Sequence, residues 1–466
     1  MAASFVLGLL CLLFINGVKT VPSHQEVKNF QSQTFVAPET QPYRTSYHFQ
    51  SPKNWLNDPN GPMWYKGFYH LFYQYNPHSA LFGNGMVWAH SVSSDLVNWV
   101  HLNHALYPSE PFDITSCWSG SATILPGDIP VILYTGIDAN NTQVQNLAIP
   151  KNLSDPFLED WVKYSQNPLM TPPVGVEADN FRDPTTAWLG PDGKWNVIVG
   201  SWSNNQGMAI LYQSGDFINW RKYKDPLYST ERSGMWECPD FFPVSINGTN
   251  GVDASVLNPT VKHVLKASFN SHDYYMIGAY VPETEKYIPD SDLTGTVTDL
   301  RYDYGKFYAS KSFFDSVKNR RILWGWVNES DTPDDDIKKG WSGLQAIPRQ
   351  IWLDRSGNQL VQWPVEEINK LHDKQINIEN KILDNGSTFE IQYITASQID
   401  HSIIESFGGK GRTCITSRVY PKFAVNKDAH LYVFNNGTLS VTISRLNAWG
   451  MNKAEIENKE SFNALF

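Results

Sequence analysis

Three carboxylates in stiff, aromatic settings stand out in the chain. Asp58 lies in Asn54-Trp55-Leu56-Asn57-Asp58-Pro59-Asn60-Gly61-Pro62, a run whose prolines and glycine cannot form the middle of a helix. Asp183 lies in Phe181-Arg182-Asp183-Pro184, and Glu237 in Trp236-Glu237-Cys238-Pro239-Asp240. Alone, Asp58 reads equally well as a local turn cap. Three such acids together suit chemistry at a sugar's anomeric carbon, where one carboxylate attacks and another protonates the departing oxygen. The two roles need different pKa values, which crowding of like charges provides. Asp58, held by its prolines, suits the nucleophile. Glu237, beside Trp236 and Cys238, suits the acid, and Arg182 is expected to keep Asp183 ionised. The plainer alternatives are an Arg182–Asp183 ion pair between repeats and an inter-repeat hydrogen bond at Glu237, since acids at repeat starts also cap structure.

These acids need elements that bring them together. Ser94-Asp95-Leu96-Val97-Asn98-Trp99 is echoed by Gly215-Asp216-Phe217-Ile218-Asn219-Trp220, each after a short β-like run (Met86–Ser91 and Gly207–Tyr212), as duplicated blades would leave. Apolar strands are predicted at Phe68–Tyr75, Ile129–Thr135, Lys194–Ser201, Tyr274–Tyr280 and Arg321–Val327. Polar unit starts fall near Asp58, Trp118, Asp183, Glu237 and Asp303. Five units about sixty residues apart, longer than common propeller repeats, predict an all-β chain with a five-bladed β-propeller over 41–356. A β-sandwich array would not explain polar residues at every unit start. A short helical linker at Val365–Leu371, within a 357–385 connection, is expected to lead into a second all-β domain over 386–466. Its strands are Gly386–Ile394, Ser402–Phe407, Thr413–Val419, His430–Phe434 and Leu439–Ile443, few for a two-sheet sandwich.

The 466 residues carry 14% aromatics, including 17 Trp, which suits both stacking on sugars and packing of an all-β core. A net charge of −10 without a long basic patch argues against nucleic acid. Residues 1–20, apolar from Phe5 to Ile15, read as a signal peptide. No later run is long enough for a membrane helix. Of four Cys, Cys11 falls in that segment, which leaves Cys117, Cys238 and Cys414 and no complete disulfide framework. Sequons begin at Asn140, Asn152, Asn247, Asn328, Asn385 and Asn436, consistent with a secreted glycoprotein.

The motifs W-L-N-D-P-N-G-P, W-S-G-S-A-T, F-R-D-P and W-E-C-P-D-F resemble the plant family-32 glycoside hydrolases, the acid invertases and fructan exohydrolases, from about Gln41 to Asn369 and in pieces to Met451. The resemblance implies a five-bladed propeller followed by a β-sandwich. It implies retaining release of terminal β-D-fructofuranosyl units from fructan or sucrose, with no metal or cofactor. Asp58 matches the nucleophile, Glu237 the acid/base, and Asp183 the acid that holds fructose hydroxyls. Trp55, Asn57, Gln74, Trp118, Ser119 and Arg182 match sugar-contacting positions. Pro239 after W-E-C resembles the cell-wall type, so the expected setting is the apoplast, as a monomer, with wall polysaccharide as a further partner.

Three departures follow from the same resemblance. Invertases that use sucrose well carry an Asp and, three residues on, a Lys before H-D-Y-Y. Here Asn270 stands near the Asp, and Ser271 runs directly into His272 without the Lys. The Trp of the family's W-G-N is Phe82 in Phe82-Gly83-Asn84. Both changes lean towards fructan exohydrolase, with cell-wall invertase and an inactive sugar-binding or regulatory homologue as the alternatives. Finally, Ser397-Gln398-Ile399-Asp400 passes straight to His401-Ser402-Ile403-Ile404-Glu405-Ser406-Phe407, segments that lie far apart in the family. The sandwich is therefore expected to be incomplete and to lack its usual Cys pair.

Overall fold

The computed structural model describes residues 41–296, 298–391, 400–423 and 430–458. The expected signal segment lies outside them. The protein is all-β with a propeller-like arrangement in which four blades stand out. The first sheet orders Trp341–Ser342, Asn54–Tyr65, Phe68–Asn76, Val87–Ser93, Trp99–His101 and Ile456–Asn458. The second orders Ser116–Leu125, Ile129–Ile137, Gln143–Pro150 and Trp161–Lys163, and the fourth Glu237–Ser245, Val261–Phe269, His272–Val281 and Lys286–Pro289. The fifth is built on Tyr308–Asp315, Arg320–Val327, Arg349–Leu353 and Leu360–Pro364. In the third, Trp195–Ser203 pairs with Gln206–Ser214, and its inner strand is broken into Phe181–Arg182 and Trp188–Leu189. Asp183 at φ 65° and Pro184 account for that break.

The cores lie between consecutive sheets. Phe72 and Trp88 of the first sheet pack with Ile132 and Tyr134 of the second. Phe313, Ile322 and Trp324 of the fifth pack with Leu71, Tyr73 and Trp99 of the first. Polar stitches repeat the pattern nearer the axis. Ala187 N–H donates to Thr123 Oγ1 (2.9 Å), Ser312 N–H to Asp240 Oδ2 (2.9 Å), and Gln345 Nε2 to Asn57 O (2.7 Å).

The sequence echo is a structural repeat. In both copies the Asp carboxylate accepts from the backbone N–H two and three residues on and from the Asn side chain, and the Trp indole donates to the residue after the Asp. Leu96 and Phe217 both take positive φ, 64° and 67°. Each turn follows the third strand of its sheet.

Two expectations need correction. Tyr274–Tyr280 is the third strand of the fourth sheet, and the second is Val261–Phe269. That strand carries Lys262, His263 and Lys266, so it did not read as apolar, although Lys266 is fully buried. The fifth inner strand begins at Tyr308, five residues beyond Asp303. Asp303 instead lies in a buried network with Arg349 (2.9 Å) and Thr416 (2.7 Å).

The 357–385 stretch contains Leu360–Pro364, the 3₁₀ turn Glu366–Leu371 and the strand His372–Leu383. The last follows from the alternation in Gln375-Ile376-Asn377-Ile378. The described residues of the remainder form three two-stranded sheets: His372–Leu383 with Val441–Met451, Thr388–Ile391 with Leu431–Phe434, and Ile403–Gly408 with Thr413–Arg418. Four buried residues, Leu383, Ile391, Val433 and Ala448, centre its core, and Leu439 and Ile382 stay exposed. The predicted strand past Ile391 falls outside the described residues.

Candidate active site

The three acids converge. Asp58 Oδ1 accepts from Asn57 Nδ2 (2.9 Å), and Trp55 Nε1 donates to Asn57 Oδ1 (2.7 Å), so the first motif orients its own carboxylate. Asp58 Oδ2 accepts from Ser119 Oγ (2.7 Å) and from the Cys238 thiol (3.4 Å). Gly120, next to Ser119, lets this strand lie close against its partner: a Cβ there would sit 2.0 Å from Leu133 O. Asp183 Oδ2 accepts from Cys238 N–H (2.8 Å), and Asp183 N–H donates to Thr135 Oγ1 (2.8 Å). Cys238 therefore touches both aspartates while its neighbour is Glu237.

The charge arrangement differs from the expectation. Arg182 Nη2 lies 2.7 Å from Glu237 Oε1, but Arg182 Nε is 4.0 Å from Asp183. The strand ends at Arg182 and Asp183 takes a left-handed φ of 65°, so the arginine reaches the next sheet while the Asp183 carboxylate is held by Cys238 N–H. Tyr308 donates its hydroxyl to Glu237 Oε2. Burial pushes Asp58 up to about 6, reinforced by the charge of Asp183 and opposed by the Ser119 and Asn57 hydrogen bonds. Burial also raises Asp183, with Arg182 and Lys311 pulling the other way. The carboxyl with the marked upward shift is thus Asp58.

An aromatic arc borders the acids. Phe82, 37% exposed, lies 6.1 Å from both the Trp55 and Trp118 rings. Trp55 meets Trp326 at 5.6 Å, and Trp326 meets Tyr308 at 6.5 Å. Tyr308 and Trp326 were missed in the sequence because the fifth unit was started at Asp303. A start at Tyr308 puts it in register with Asp58 and Glu237. Gln74 is buried and donates to Cys117 O (3.1 Å), so it supports the Trp118 strand from behind. Asn270 forms with Ser271 a two-residue turn with φ 49° and 62° between paired Phe269 and His272, and it is exposed. Asn at such a position satisfies the left-handed backbone of a type I′ hairpin.

Among the described residues, Glu329, Asp331 and Asp336 are close enough to hold a cation. Lys339 already supplies one, with Nζ at 3.0, 2.5 and 3.0 Å from them. Cys117, Cys238 and Cys414 are buried free thiols. Asn140, Asn152, Asn247, Asn385 and Asn436 are exposed, and Asn328 is half-buried.

With this geometry in hand, similarity to known proteins decides the family. The profile of the glycosyl hydrolases family 32 N-terminal domain matches residues 48–364, and that of the family 32 C-terminal region matches 396–450. This chain belongs to glycosyl hydrolase family 32. Within that family, the insoluble beta-fructofuranosidase isoenzyme CWINV1 of Arabidopsis thaliana is 47% identical, covering 96% of this chain and 98% of the relative. Fructan 6-exohydrolase of Beta vulgaris is 46% identical, covering 89% and 88%. The crystal structure of fructan 1-exohydrolase IIa from Cichorium intybus superposes with a TM-score of 0.88 at 48% identity, over 90% of this chain and 99% of that one. A single-substitution variant of that enzyme has been solved in complex with 1-kestose. The Arabidopsis alignment runs over 571 positions, at least a hundred more than this family-32 chain has residues. It therefore includes more than a hundred positions at which this chain has no residue. No described helix is long and apolar enough to cross a membrane.

Proposed function

We propose that this protein is a retaining β-fructosidase, leaning to fructan exohydrolase. The observation that carries the reading is the convergence of Asp58, Asp183 and Glu237 beneath the Trp118–Phe82–Trp55–Trp326–Tyr308 arc. Ionised Asp58 attacks the anomeric carbon of a terminal fructofuranosyl unit. Asp183 holds ring hydroxyls. Glu237 protonates the leaving oxygen and then deprotonates the attacking water. Arg182 and Tyr308 on its two oxygens orient Glu237 until substrate displaces one of them. The absence of a Lys between Ser271 and His272, and Phe82 in the arc, favour a fructosyl chain over a glucose unit in the leaving position. The relatives named for 1- and 6-linked fructan hydrolysis support this choice. The second reading, a cell-wall invertase acting on sucrose, is favoured by the 47% identity to the insoluble Arabidopsis isoenzyme.

The same proposal takes the third sheet, with its interrupted inner strand, as the fifth blade of a propeller over 41–356. The C-terminal sheets are the remnant of a β-sandwich that has lost its centre. Secretion by the 1–20 segment, glycosylation at the five exposed sequons, residence in the wall as a monomer and independence of cofactors belong to this reading.

The test is to offer purified protein sucrose, inulin and levan separately. Fructose from a fructan with sucrose spared supports the exohydrolase, and equal glucose and fructose from sucrose supports the invertase. A folded protein silent on all three would overturn both in favour of a sugar-binding or regulatory homologue.

A further inference from the structure

The strand that begins at Glu237 is irregular where it meets the acids. Its pairing with Val261–Phe269 skips from Glu237↔Ser268 to Asp240↔Lys266, which leaves Cys238 and Pro239 outside the ladder. Cys238 sits at φ 43°, a left-handed conformation that costs a non-glycine residue and persists only when its surroundings enforce it. Two lysines are placed to enforce it. Lys266 Nζ donates to Cys238 O (2.9 Å), Ser268 Oγ (2.7 Å) and Ser310 O (2.8 Å), and lies 3.5 Å from Asp273. Lys311 Nζ donates to Pro239 O (3.1 Å). They are 0% and 2% exposed. Lys311 comes from the same inner strand as Tyr308, whose hydroxyl reaches Glu237. The bulge between them is the hub of the site: Glu237 opens it, Cys238 N–H holds Asp183, and the Cys238 thiol reaches Asp58.

We propose that Lys266 and Lys311 are positioning residues of the carboxylate site: together they pin the Glu237–Pro239 bulge, and Lys311 adds a buried positive charge that, with Arg182, favours ionised Asp183 beside Asp58. The second half of the statement rests on the β-fructosidase reading. Three acids share this space, and Arg182, which also favours ionised Asp183, makes its short contact with Glu237. Lys311 faces Cys238 and Asp240 on the bulged strand, Asp183 on the third sheet and Lys266 on the adjacent strand. Asp183 in turn faces Arg182, Lys311 and Glu237. Asp58 faces Asp183 and Glu237, with Ser119 and Asn57 as its hydrogen-bond donors. Lys266 is balanced by Asp273, so its part is mechanical, whereas Lys311 acts by position and charge.

Lys311→Met, Lys311→Arg and Lys266→Met, made in the full chain, separate the two parts. With 1-kestose and sucrose as probes across about pH 4 to 8, Lys311→Met is expected to lower kcat at least about tenfold with KM changed less than about threefold. The acid limb of kcat/KM should move up by about one pH unit. Lys311→Arg should return the limb towards its original position. Lys266→Met should lower kcat and leave the limb in place. A folded Lys311→Met enzyme with an unmoved acid limb overturns the proposal. Should Lys311→Met not fold, Lys311→Gln carries the same reading against Lys311→Arg. Wild-type protein inactive on both sugars would overturn the assigned function alone. The charge role is then read from stability: the Tm gap between wild type and Lys311→Met should widen from pH 4 to pH 7, as the acids ionise without their cation. A gap that does not change with pH overturns it.

Discussion

Arg182 Nη2 lies 2.7 Å from Glu237 Oε1, across a sheet boundary, while its chain neighbour Asp183 is left at 4.0 Å from Nε. The arginine therefore belongs to the proposed acid/base. Arg182→Lys should lose the fork that reaches this carboxylate, since an ammonium cannot reproduce it. Hydrogen bonds to charged groups contribute about 1.5–3 kcal/mol, so kcat/KM on the preferred sugar should fall about 10- to 100-fold. Steady-state kinetics on the folded variant checks this, and unchanged kcat/KM would mean that the pair is only a surface ion pair.

Asp58 is held at about 6, above its unfolded value of 3.8, by burial and the charge of Asp183. A raised pKa means that its favourable contribution is fully present below about pH 3.8 and is lost as pH rises through about 6. Ionised Asp58 thus destabilises the fold at neutral pH. Asp58→Asn should abolish turnover and also raise stability at pH 7 by about 1–2 kcal/mol, less than the full shift because one edge of the carboxylate is open to solvent. The gain should shrink as pH falls towards 4. Thermal melts at both pH values decide it, and appreciable hydrolysis by this variant would show that the nucleophile is misassigned.

Ser119 donates to Asp58 Oδ2 and holds its pKa down against burial. Ser119→Ala should push Asp58 further up, so that the acid limb of kcat/KM moves to higher pH while the alkaline side changes little. An acid limb that stays put would detach Asp58 from that limb.

Much of this site was legible because its chemistry is local. Trp55, Asn57 and Asp58 hydrogen-bond within one motif, and the Asp95 and Asp216 turns repeat the same bonds wherever their short pattern occurs. What was not legible depends on side chains crossing between sheets. Lys266 and Lys311 read as solvated charges until the fold buries them. Tyr308 enters the site only once the fifth inner strand is set at its true start. Arg182 was paired with Asp183 by adjacency, although its short contact is with Glu237 across a sheet boundary and the backbone turns left-handed at Asp183.

His48 connects the chain's two parts. Its Nδ1 lies 2.8 Å from Asp400 and its Nε2 3.0 Å from Glu405, both from the C-terminal segment, and Arg349 bridges Glu405 (2.6 Å) to Asp303 (2.9 Å). Burial opposes protonation of His48, but its two carboxylate partners outweigh it and push it up to about 9. That stabilisation is complete below about pH 6.5 and is lost as pH rises through about 9. Asp400 and Glu405 are held below their usual values, Glu405 at about 2, by hydrogen bonds and by the His48 and Arg349 charges. Their contribution is present above about pH 4.5 and is lost as pH falls through those lowered values. Stability should therefore peak between about pH 4.5 and 6.5 and decline towards 9. His48→Leu leaves two buried acids short of a partner, so it should cost about 3–5 kcal/mol at pH 5.5 and flatten the alkaline decline. A Tm profile of the variant parallel to wild type would place the junction's strength elsewhere.

The last prediction concerns substrate choice. The Asn270–Ser271 turn is a two-residue hairpin loop, both residues already occupy the left-handed region, and Ser271 runs directly into His272 with no Lys between them. Asn270→Asp alone should change little, because it keeps the same short turn and adds an exposed, solvent-screened charge. Asn270→Asp with a Lys inserted before His272 lengthens the turn and adds a donor towards the leaving sugar. If that donor meets glucose hydroxyls, it should raise sucrose cleavage relative to 1-kestose by about tenfold or more, given about 1.5–3 kcal/mol for a hydrogen bond to a charged group. The two kcat/KM values measured side by side decide it. An unchanged ratio in a folded double variant would mean that Phe82 and the aromatic arc, rather than this turn, set the preference, and Phe82→Trp would then be the change that moves it.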